Sequence, residues 1–117
     1  MSAESRAAIT DAQAGRGVFV SPISAWEIGT LVARNRLVLA SSPEAWFARL
    51  LALPGMRLAP LSPEILIAST ALPGTPPRDP ADRIIAATAR AYDWVVVTRD
   101  GELVPYGRAG YLLTIAC

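Results

Sequence analysis

Residues 78–101 read RDPADRIIAATARAYDWVVVTRDG. Asp79-Pro80 is a helix start: an aspartate side chain can accept a bond from a first-turn N–H, and proline suits the first helical position, where its missing N–H costs nothing. Asp82 then falls in the first turn, where a negative charge favours the helix dipole or closes a capping box. An alanine-rich segment carries the helix to about Tyr92. Trp94 to Thr98, rich in β-branched residues, is the clearest strand of the chain, and Arg99-Asp100-Gly101 is a turn. A helix running straight into an apolar strand is half of a βαβ unit.

The rest of the 117-residue chain repeats this alternation. Residues 2–14 form a helix and residues 17–20 a strand candidate. Ser21-Pro22 opens a helix reaching about Asn35, with Ser21 as its cap. Ser42-Pro43-Glu44 opens another, which stops at Pro54-Gly55. Residues 56–61 are a strand candidate, Ser62-Pro63-Glu64 opens a third such helix, and residues 73–78 form a loop. Residues 111–115 make a terminal strand, and no element is assigned between it and the turn at Asp100. Short strands, apolar on both faces and alternating with helices, predict a single α/β domain over residues 1–117. Its sheet is parallel and covered by helices on both sides. In such sheets the functional crevice lies beyond the carboxyl ends of the strands, which directs attention to Thr98 and Asp100.

Composition narrows the chemistry. With 52% hydrophobic residues and 18% charged, the chain can build a core, and a net charge of +1 carries no strong signature for nucleic acid or anionic membrane. All 11 basic residues are arginine. The absence of histidine removes histidine bases and histidine-ligated zinc. The one cysteine, Cys117, forms no intrachain disulfide. No apolar run is long enough to span a bilayer and the N-terminus is unlike a signal peptide, so the expected location is the cytoplasm.

Carboxylates remain. Asp79 reads as a cap. Asp82 reads as a cap or as a ligand. Glu27 has Ile23 and Leu31 as its helix neighbours, and Trp26 and Ile28 flank it, so it is a solvated edge residue or an acid held near the core by a cation. Asp100 is a turn residue, a helix cap or a crevice acid. Acids on three separate elements, with no histidine or thiol to compete, suit Mg²⁺ or Mn²⁺ and phosphodiester hydrolysis. Arg78, Arg83 and Arg99 flank these acids as surface charges, ion-pair partners, or contacts to a phosphate or a protein partner. Trp26 and Trp94 are expected in the core, as are the apolar faces of AWFARLLAL and ILIASTAL.

The segments SPISAWEIGTLVARNRL and RDPADRIIAATARAYDWVVVTRD, in this order, resemble the PIN-domain ribonucleases, in particular the VapC toxins of bacterial toxin–antitoxin pairs. The family's Ser-x-x-Ser-x-Trp-Glu segment matches Ser21, Ser24, Trp26 and Glu27. Its Arg-Asp-Pro-x-Asp-Arg segment matches Arg78 to Arg83, and its strand ending in Thr-x-Asp matches Thr98 and Asp100.

The resemblance implies a three-layer α/β/α sandwich and an Mg²⁺- or Mn²⁺-dependent endoribonuclease. Glu27, Asp82 and Asp100 are its catalytic and metal-ligating acids, with Asp79 and Thr98 in support. It also implies an RNA substrate (tRNA or ribosomal RNA), a VapB-like antitoxin and a homodimer. Family members open with a Leu-Leu-Asp-Thr strand whose aspartate is a principal metal ligand. This chain opens at MSAESRAAITDAQ, which is similar to the family's second helix. The expectation is a fold without the first strand and helix and a site with three of four carboxylates. The alternative function is an inactive PIN remnant that binds the antitoxin.

Overall fold

The computed structural model describes residues 1–117. Six helices and four strands follow in the order α1 (Ala3–Ala14), β1 (Val18–Val20), α2 (Ile23–Ala33), α3 (Pro43–Ala52), β2 (Met56–Leu58), α4 (Pro63–Ala68), α5 (Pro80–Tyr92), β3 (Val95–Thr98), α6 (Leu103–Arg108) and β4 (Leu113–Ala116). All strand pairing is parallel, as the alternation of helices and strands predicts. The strands form two separate pairs, β1 with β2 and β3 with β4. The chain divides into two compact units, one of residues 1–9 and 61–117, the other of residues 10–60.

The first unit carries α4, α5, β3, α6 and β4. Its core gathers Ala86 and Ala89 of α5, Val96 of β3, Leu103 and Tyr106 of α6, and Leu112, with Ile85, Trp94 and Tyr111 packed around them. The small side chains of α5 let its backbone come close to its neighbours. An isolated helix of this length is marginal in water, so this packing holds it. Asp93 ends the helix in the left-handed conformation, at φ 56°. In the β3–β4 ladder Val96 lies opposite Thr114 and Thr98 opposite Ala116. Val96 is buried while Val95 and Val97 are exposed, so β3 is apolar on both faces, as read from the sequence, but covered on one. At the start of the chain the Ser2 hydroxyl donates to the carbonyl of Ala116.

Helix α6 has no signal in the sequence, because Pro105 and Gly107 punctuate it like a loop. Tertiary packing overrides this: Leu103 and Tyr106 are buried, and the Tyr106 hydroxyl donates to the Pro73 carbonyl at 2.6 Å. Gly107 has no room for a side chain, since a Cβ there would overlap Thr114 of β4.

In the second unit the β1–β2 ladder sets Val18 opposite Met56 and Val20 opposite Leu58. Gly55 enters β2 at φ +74°, and a Cβ there would run into the backbone of Gln13. Ser42 caps α3 by accepting from the Ala45 N–H at 3.1 Å, as its Ser-Pro-Glu start predicts. Ser21 accepts from the Ile23 N–H at 3.3 Å, although α2 itself begins only after Pro22. No residue of α2 or α3 is fully buried. Trp26, expected in the core, is 63% exposed, because α2 is apolar nearly all round and its sequence does not say which side is covered. The apolar side chains of α3 are likewise only part-covered, and in α4 Ile65 alone is buried while Ile67 is exposed.

Candidate functional site

The acids singled out from the sequence divide between the units: Glu27 lies in the second, and Asp79, Asp82 and Asp100 lie in the first. Glu27 sits in the middle of α2, half-buried. Within either unit, no group of three or more acidic or thiol side chains comes close enough to hold a metal ion.

The first unit builds its polar end from two loops. One leads into α5. Asp79 is the N-cap, its Oδ1 accepting from the Ala81 N–H at 2.8 Å, and Pro80 follows at the first position. Asp82 lies in the first turn, half-buried. Arg83 donates from Nε to the Pro77 carbonyl at 2.6 Å and fastens the loop to its own helix.

The other loop leaves the carboxyl end of β3. The Thr98 hydroxyl accepts from the Asp100 N–H at 3.0 Å. Asp100 in turn uses Oδ1 to accept from the N–H groups of Glu102 (2.7 Å) and Leu103 (3.0 Å), which opens α6. Both bonds fall on one oxygen, so they fix the carboxylate's orientation without requiring Oδ2. The turn and the crevice readings of Asp100 are therefore compatible.

Glu102 joins the loops. Its Oε2 accepts from the backbone N–H of Arg78 at 2.7 Å, and its Oε1 faces the Arg78 Nε at 3.3 Å. The donated N–H of Arg78, with help from its guanidinium, holds the Glu102 carboxyl below the ordinary glutamate value of 4.5. Arg78 thus serves an ion pair and Arg83 a loop, while Arg99 is exposed in the turn before Asp100. Glu102 was not singled out from the sequence. No spacing rule links a glutamate in a turn to a backbone N–H 24 positions earlier.

The family model for the PIN domain matches residues 2–108. The chain belongs to the PIN-domain family. It is also similar to Ribonuclease VapC22 of Mycobacterium tuberculosis, 36% identical over 84 residues, which are 72% of this chain and 63% of that protein. The match thus spans just under two thirds of the relative's length. Both findings agree with the resemblance read from residues 21–37 and 78–100. They support the α/β fold and the VapC-like character of this PIN domain. No helix is long and apolar enough to cross a membrane.

Proposed function

We propose that this PIN domain acts as a VapC-type toxin, a metal-dependent endoribonuclease restrained by a VapB-like antitoxin, that Asp82 and Asp100 serve as ligands to Mg²⁺ or Mn²⁺, and that Glu27 is a further catalytic acid. The observation that carries this reading is the pairing of two acid-bearing loops at one end of the first unit, at the carboxyl end of β3, in a chain of this family. The identity to a ribonuclease supports the RNA substrate class. A tRNA or ribosomal RNA target, a homodimer and a cytoplasmic setting belong to the same proposal.

The donor set fits such an ion in kind. Its members are carboxylates only, the hard oxygen donors that Mg²⁺ and Mn²⁺ prefer. Magnesium commonly takes one or two protein carboxylates and completes its shell with water and substrate phosphate, so two acids suffice in number. When bound, the ion supplies an activated water and charge neutralisation at the phosphate. The chain's own part is to fix the carboxylates. Thr98 holds the Asp100 main chain, the α6 amides hold its Oδ1, and the first turn of α5 carries Asp82.

A second reading is favoured by the lack of a three-acid group within either unit. In it the chain binds the antitoxin without cutting RNA. Incubation of the purified chain with total tRNA and ribosomal RNA, with Mn²⁺ and with EDTA, separates the two. Metal-dependent cleavage that disappears in Glu27→Gln, Asp82→Asn and Asp100→Asn supports the nuclease. Antitoxin binding with no cleavage supports the second reading.

A further inference from the structure

We propose that Glu102 is a positioning residue that sets the α5 start, with Asp82, in register with the Asp100 turn. The inference rests on the metal-site reading above and goes beyond its residues.

Glu102 bonds to both loops, by its main chain to one and by its side chain to the other. Through its main-chain N–H it donates to Asp100 Oδ1, and through its carboxylate it accepts from the N–H of Arg78, the residue before the Asp79 cap. The two bonds are both 2.7 Å, the length of charge-assisted hydrogen bonds. The salt bridge to the Arg78 side chain is the lesser part. That side chain is 91% exposed, and ion pairs in water contribute little. The working contact is therefore carboxylate to backbone, which fixes main chain rather than a mobile arginine. Residues that orient metal-bound carboxylates through such bonds typically change metal affinity by about 10- to 100-fold when removed.

The test uses the full 117-residue chain and MnCl₂ alone, by calorimetric titration, with amide hydrogen exchange at Arg78 as a readout independent of the metal. Glu102→Ala is expected to weaken Mn²⁺ binding about 10-fold or more and to speed exchange at Arg78. Glu102→Gln keeps an oxygen for the Arg78 N–H and is expected to recover most of the affinity. Arg78→Ala keeps the backbone bond and is expected to bind within about twofold of wild type, since it loses only an exposed pair. Where the alanine variant does not fold, Glu102→Asp, one methylene too short to bridge, gives the same information. Wild-type affinity in Glu102→Ala, alongside loss of binding in Asp82→Asn, overturns the positioning role and leaves the metal site standing. Equal damage from Arg78→Ala and Glu102→Ala also overturns it. A wild-type chain that binds no Mn²⁺ overturns the metal reading, and the positioning role with it.

Discussion

The Thr98 hydroxyl accepts the N–H of Asp100 at 3.0 Å, so the last residue of β3 determines how the following acid leaves the sheet. A valine of the same shape keeps the strand but leaves that N–H without its partner. Thr98→Val is expected to lose about 1 kcal/mol of stability and to weaken Mn²⁺ binding. Thr98→Ser, which keeps the oxygen, is expected to retain the metal response. Urea denaturation and calorimetric titration of both variants check this. Equal Mn²⁺ affinity in the two would separate Thr98 from the site.

Asp79 and Asp82 share one helix start and have different tasks. Asp79 makes the capping bond to the Ala81 N–H, so Asp79→Ala is expected to cost about 1 kcal/mol. Asp79→Ser or Asp79→Asn keeps a capping oxygen and most of that stability. Asp82 lies in the first turn and contributes through its charge and, on the proposed function, through the ion. Asp82→Asn is expected to abolish the rise in melting temperature that Mn²⁺ gives. A Mn²⁺-induced shift unchanged in Asp82→Asn excludes Asp82 as a ligand.

The sequence is most legible where one residue acts on its near neighbours. The caps at Ser42, Ser62 and Asp79 are local devices, and each forms its bond to a first-turn N–H. The parallel pairing follows from the alternation of helices and strands. What stays hidden depends on distant partners. Trp26 is exposed because the apolar surface of α2 exceeds what its neighbours cover. Helix α6 forms against its own proline and glycine because Leu103 and Tyr106 have a core to enter. Asp79 and Asp100 are legible as a helix cap and a turn residue, whereas Glu102 acts on a backbone N–H and leaves no pattern of residue types.

Two pH effects of opposite sign follow from groups that hold this unit. The Glu102 carboxyl titrates below 4.5 in the folded chain because it accepts the Arg78 N–H. Its contribution to stability is therefore complete above the ordinary value and is lost as pH falls through the lower folded value. The difference in melting temperature between wild type and Glu102→Gln is expected to be greatest near neutrality and to close below pH 4.5. A difference that persists unchanged at lower pH excludes the ionised carboxylate as its source. Tyr106 behaves in the other direction. Burial pushes its hydroxyl above the ordinary 10.0, so its contribution is complete below that value and is lost as pH rises through the folded one. Tyr106→Phe also strands the Pro73 carbonyl and is expected to cost about 1–3 kcal/mol. Ultraviolet titration should show one tyrosine that ionises late, and its absence in Tyr106→Phe assigns it.

Gly55 offers a test of the second unit, because conformation and space both oppose a side chain there. Its φ of +74° costs an ordinary residue about 1–3 kcal/mol. A Cβ would also lie 2.5 Å from the Gln13 carbonyl oxygen and 2.6 Å from its Cα, backbone atoms that cannot turn aside as a flexible side chain does. The two costs add, so Gly55→Ala is expected to lose about 3 kcal/mol or more. Asparagine distinguishes them, since it tolerates the left-handed region better than alanine but carries the same Cβ. If the close approach to Gln13 dominates, Gly55→Asn is as damaging as Gly55→Ala. Partial recovery in Gly55→Asn, measured by urea denaturation, would assign the cost to backbone conformation and show that the α1 end can yield.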